Sequence, residues 1–243
     1  MNEPKRARSS VSISDASRRW LGRLRDVRSG ALLVALLIAI GVAASTRLST
    51  PRVAAQTAAS VPTLVDQATT DFFAGRITES VAGFDRAATL DRSVAPELWQ
   101  RGIALYYAGR YRDCRAQFEL HRTVNPADVE NAAWHFLCVA RAESPARARA
   151  ALLPVGPDDR APMREIYRMF AGTIAPESVL VAGVTDPRAR FYAALYVGLY
   201  YEAIGEPRAQ IYIKEAASSQ FESVGGYMNR VAKVHVLVRG WKN

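Results

Sequence analysis

The chain has 243 residues, 49% of them hydrophobic and 23% charged, with a formal net charge of +9 and two cysteines. That length holds one helical domain of about 180 residues plus an N-terminal arm, and the composition excludes both a disordered body and a disulfide-rich scaffold. The charge does not indicate nucleic acid: residues 1–30 carry Lys5, Arg6, Arg8, Arg18, Arg19, Arg23, Arg25 and Arg28 against Glu3, Asp15 and Asp26. Beyond them arginines are scattered among acids, with no basic run interleaved with stacking aromatics.

The basic arm, residues 1–30, leads into an uncharged stretch, residues 31–46, with the sequence ALLVALLIAIGVAAST. Positive charge before an apolar run holds the N-terminus in the cytoplasm and sends the C-terminal remainder across the membrane. Sixteen helical residues span about 24 Å against a hydrocarbon core of about 30 Å. A single-pass signal anchor therefore has to recruit neighbouring residues, and the alternative is a signal peptide cleaved near Ala44. Residues 47–60 are small and polar, broken by Pro51, and read as a linker. The helical domain is expected over residues 61–243.

Within that domain Phe72-Phe73-Ala74-Gly75-Arg76-Ile77 recurs 34 residues later as Tyr106-Tyr107-Ala108-Gly109-Arg110-Tyr111. The register then holds through Ser80 and Cys114, Phe84 and Phe118, Ala87 and His121, and Leu90 and Val124. Apolar residues three and four apart on both sides of a glycine predict a helical hairpin, with Gly75 and Gly109 ending the first helix of each pair. Ala68 and Gly102, seven residues earlier, allow the paired helices to approach. A third, degenerate unit carries Trp134, Leu137 and Cys138, with Pro145 opening its second helix. A fourth has Gly198, Tyr201, Gly205 and Pro207. Residues 153–185 are expected as an irregular insertion with a helix around Met163 to Ala171. Met228, Val231, Val234 and Val238 predict a terminal capping helix.

These units resemble the tetratricopeptide-repeat (TPR) family in length, in the small residue of the first helix, in the aromatics and in the closing proline at Pro126. The first unit has Arg92 where that proline is expected. The resemblance covers about 150 residues and implies an all-α, TPR-like right-handed superhelix of stacked helical hairpins. The export segment, together with the aromatic helix from Phe191 to Tyr201, is similar to periplasmic TPR adaptors, although no lipid-attachment cysteine comes after the apolar run. The function this implies is a membrane-tethered scaffold that binds other proteins or peptides outside the cytoplasm and is not an enzyme. It would use neither cofactor nor metal, bind no nucleic acid, and be open to self-association.

Trp99, Ile103, Tyr106 and Tyr107 fall on one helical stripe, and Val65, Thr69, Phe72 and Phe73 are their counterparts 34 residues earlier. By the resemblance this stripe lines a concave protein-binding groove. The alternative is an enzyme or a cofactor- or metal-binding helical protein using the face of His135 and Cys138, with Arg141, Arg164 and Glu165. Cys114 fills a small-residue position and is expected to be buried, and a bond to Cys138 is open if the domain is exported. An acid-base set of Glu202, Lys233 and His235 would need distant segments to meet. Asp158-Asp159 reads as a helix start.

Overall fold

In the computed structural model, residues 60–241 are described. Residues 1–59 lie outside them, so the arm, the apolar run and nearly all of the linker are expectations of the sequence alone. Among the described residues every regular element is helical, and no helix is long and apolar enough to cross a membrane.

The helices are α1 (Val61–Phe73), α2 (Ile77–Leu90), α3 (Trp99–Tyr107), α4 (Tyr111–His121), α5 (Val129–Ala142), α6 (Pro145–Ala150), α7 (Met163–Phe170), α8 (Pro176–Ala182), α9 (Pro187–Ala203), α10 (Ala209–Ala217) and α11 (Glu222–Val238). Consecutive helices pack as pairs: α1 on α2, α3 on α4, α5 on α6, and α9 on α10. The insertion contributes α7 and α8; α7 packs against α5 and α9, and α8 against α7 and α9.

The repeated glycines act as expected. Gly75, Gly109 and Gly205 have φ of 75°, 74° and 78°, in the region where a side chain is strained. Their turns also share one bonding pattern. Gly75 N–H donates to Phe72 O (2.9 Å) and Arg76 N–H to Asp71 O (2.9 Å). Gly109 and Arg110 donate to Tyr106 O and Leu105 O, and Gly205 and Glu206 to Glu202 O and Tyr201 O. Each pair satisfies carbonyls that a helix end leaves open. The small residues permit close packing: a Cβ built on Gly102 would come within 2.7 Å of the Phe118 ring, and one on Gly198 within 2.8 Å of Ile213. In the first unit Ala68 faces Gly83, where an added Cβ would lie 2.9 Å from the alanine Cβ.

α5 and α9 form the centre. Every residue of α5 from Val129 to Ala140 is buried, as is every residue of α9 from Phe191 to Tyr201, the pattern of a helix enclosed on all sides. Cys114 on α4 and Cys138 on α5 are joined by a disulfide, with Cα atoms 5.8 Å apart.

The terminal helix departs from the expected cap. α11 does not simply close the last hairpin, because it packs on α10 and α9 and also returns to α1. Its start is bent at Gly226 (φ 51°, ψ −124°), which sets an elbow beside the end of α1. The Tyr227 ring then lies 4.7 Å from the rings of Phe73 and Trp99, and Tyr107 meets His235 at 5.6 Å. The last helix therefore covers residues of the first two repeats.

Candidate functional site

The expected groove residues do come together, but as core. Val65, Phe72, Trp99, Ile103 and Tyr106 are each at most 3% exposed, and Tyr107 is 9% exposed. Thr69 and Phe73 are half-buried. Periodicity correctly places these side chains on one face. That face is not an open groove, because Tyr227 and His235 of α11 and Glu202 of α9 occupy the space in front of it.

At this seam sits the acid-base set that needed distant segments to meet, and two of its three members do meet. Tyr107 OH is 3.0 Å from His235 Nδ1. His235 Nε2 lies 3.4 Å from Glu202 Oε1 without making a hydrogen bond. Tyr106 OH donates to Glu202 Oε2 at 3.3 Å, and the Arg239 guanidinium also grips that carboxylate. Lys233 is absent from the set and instead pairs with the exposed Glu222. Burial lowers the His235 pKa more than Glu202 restores it, so the ring is neutral at pH 7. A Tyr107 hydroxyl donating to Nδ1 would leave the ring proton on Nε2, towards Glu202. Burial by itself would raise Glu202, but contacts with His235 and Arg239 outweigh it and hold the carboxyl below its ordinary range. With His235 neutral, Arg239 supplies the charge. A carboxylate held ionised this firmly is a poor proton donor; as built, it ties α3, α9 and α11 together.

A second buried network was not legible in the sequence. Arg160 donates to Glu130 (2.8 Å), Asp128 (2.8 Å) and Asp158 (2.6 Å), whose side chains are 0%, 0% and 1% exposed. Tyr196 OH donates to the other Glu130 oxygen at 2.7 Å. Asp128 also caps α5 by accepting from Glu130 N–H, and Asp158 accepts from Val129 N–H. Asp158 thus serves the start of α5, not that of α7 as its place in the sequence suggests. Burial, followed by the Glu130 carboxylate, drives Asp128 up to about 7 against the pull of Arg160.

The face centred on His135 and Cys138 does not assemble. Cys138 is bonded to Cys114, His135 Nε2 faces Glu119 at 3.3 Å, and Arg141 donates to Tyr111 OH. Arg164 and Glu165 pair with each other. Among the described residues no group of three or more His, Cys, Asp or Glu is placed to hold a metal ion.

Fold and seam together define a helical-hairpin protein whose last helix folds back onto its first repeats. No protein-family model matches the chain, and no curated protein matches it either.

Proposed function

We propose that this chain is a membrane-tethered, TPR-like scaffold that binds protein partners outside the cytoplasm. The observation that carries the reading is the repeat, found in sequence and again in three dimensions. Gly75 and Gly109, 34 residues apart, end equivalent helices with the same paired hydrogen bonds, and Ser80, Phe84 and Ala87 occupy the same buried positions as Cys114, Phe118 and His121. Stacked units of this kind present surface without requiring a catalytic centre. The basic arm and the apolar run of residues 31–46 support export, and the Cys114–Cys138 bond suits an oxidising compartment.

Because α11 covers the stripe, partners meet the outer surface while the seam is closed. Leu90 and Val124, one repeat apart, are 58% and 45% exposed there. A reporter active only after export, fused after Asn243, tests placement, and inactivity of that fusion would reverse the topology. Crosslinking in membranes through a photoreactive residue at Leu90 or Val124 tests the scaffold, which predicts one recurrent protein adduct at both positions. Absence of any adduct at either position, with the protein folded and exported, would overturn it.

A further inference from the structure

The buried cluster around Arg160 is out of charge balance. Asp128 and Glu130 lie at the start of α5, whereas Asp158 and Arg160 belong to residues 151–162, the irregular stretch between α6 and α7. Three carboxyls sealed from solvent thus share one guanidinium. Like charges held this close in a buried site do not all ionise, so one of the three carries a proton.

The hydrogen bonds indicate which one. Asp158 Oδ1 accepts from Arg160 Nε and the Arg160 amide, and its Oδ2 from Arg160 Nη2 and Val129 N–H. Asp128 Oδ1 accepts from Arg160 and Glu130 N–H, and Glu130 Oε1 from Arg160. Two oxygens are left. Glu130 Oε2 meets the Tyr196 hydroxyl at 2.7 Å, and a proton there would turn that hydroxyl's hydrogen into a wholly buried interior. Asp128 Oδ2 meets only the Asn125 amide, at 3.0 Å. Asn125 is half-buried, so its amide can turn, accept with its oxygen and leave its N–H groups to water.

Among the described residues the neighbouring elements bring no second cation into the cluster. Tyr192 and Tyr196 of α9 face it as neutral phenols, because burial and the Glu130 carboxylate push their ionisation far up. Arg164 and Arg168 of α7 and Arg188 of α9 are exposed. Arg147 of α6 pairs with Glu143 and Arg115 of α4 with Glu119, while His121 of α4 faces Pro96 O.

We propose that residues 151–162 form a proton-held latch on the start of α5: a proton on Asp128 Oδ2 keeps the latch closed, and loss of that proton loosens it. Ionised Asp128 adds a buried charge that only water relieves. The latch side gives way, because α5 is enclosed by helices and the stretch has no helical ladder. Beyond the packing of Leu152 and Val155, it is fastened by Gly156 N–H to Pro126 O and by Arg122 to Pro154 O, both 3.1 Å. Those bonds run to the turn that carries Val124, so the latch shapes the outer surface there. It does not rest on the scaffold reading.

The closed form holds a proton that an open, hydrated Asp128 releases at its ordinary 3.8. Opening therefore grows by about tenfold per pH unit from about pH 4 to about pH 7 and levels off above. Hydrogen exchange of the full chain, corrected for the intrinsic pH dependence of amide chemistry, tests this. The amides of Gly156, Arg160 and Val129 should lose protection about tenfold per pH unit between about pH 5 and pH 7, while the middle of α9 changes far less. Asp128→Asn, which keeps the cap, should hold them protected at every pH. Infrared spectroscopy gives a second readout: the wild type at about pH 6 should show a protonated-carboxyl band that Asp128→Asn lacks. Protection in residues 151–162 that does not change with pH, or changes equally in Asp128→Asn, would overturn the proposal. So would absence of the protonated-carboxyl band from the wild type.

Discussion

Replacing Trp99 with alanine separates a buried seam from an open groove. Trp99 is the first residue of α3, so alanine there costs nothing in helix propensity and the effect reports packing. The side chain is 1% exposed, and its ring meets Tyr227 edge-on at 4.7 Å. Truncating a buried tryptophan costs about 3–5 kcal/mol in lost transfer energy and residual cavity. For a domain of this size each kcal/mol moves the melting temperature by roughly 2–4 °C, so a drop of roughly 6–20 °C is expected. Against a total stability of about 5–15 kcal/mol, Trp99→Ala with Tyr106→Ala is expected to leave the domain largely unfolded. Thermal unfolding watched by far-ultraviolet circular dichroism, paired with urea titration, measures both. Thr69→Ala, half-buried on the same face, is the control and should cost far less. If Trp99→Ala melts within a degree or two of wild type, the side chain faces solvent and the closed seam is wrong.

The buried chemistry makes two further outcomes testable. The Cys114–Cys138 bond closes a span of 24 residues, worth about 3.5 kcal/mol of chain entropy, so adding reductant should lower the denaturation midpoint of the wild type and leave Cys114→Ala with Cys138→Ala unchanged. Asp128 is raised to about 7 from an ordinary 3.8, so the folded state holds a proton that the unfolded state has released. Its contribution is fully present below about pH 4 and is lost as pH rises towards 7. Asp128→Asn, which keeps an oxygen for the cap, should therefore gain stability relative to wild type between pH 5 and 8 in urea titrations; a pH-independent difference would contradict the assignment.

The hairpins were legible because their signals are local. Glycine at a helix end, a small residue at a close crossing and proline opening α6 each act within a few residues of the chain, and Gly75, Gly102, Gly109 and Pro145 do what their spacing predicts. What covers a helix face is not local. The alternation through Trp99, Ile103, Tyr106 and Tyr107 says that one face is apolar, and a core and a peptide groove ask for the same residues. The covering contacts span 96 residues from Tyr106 to Glu202 and 128 from Tyr107 to His235, and no periodicity links such positions. The Arg160 network was hidden for the same reason: Asp158 looks like a cap for the helix after it, but it caps one that begins 29 residues earlier.

The most direct test of the closed seam is a nuclear Overhauser measurement on the full chain with selectively labelled aromatics. The Tyr227 ring should show cross-peaks to both Phe73 and Trp99, whose ring centroids lie 4.7 Å away. If those cross-peaks are absent and the Trp99 ring is accessible to a soluble paramagnetic probe, α11 does not cover the first repeats and the inner face is an open groove.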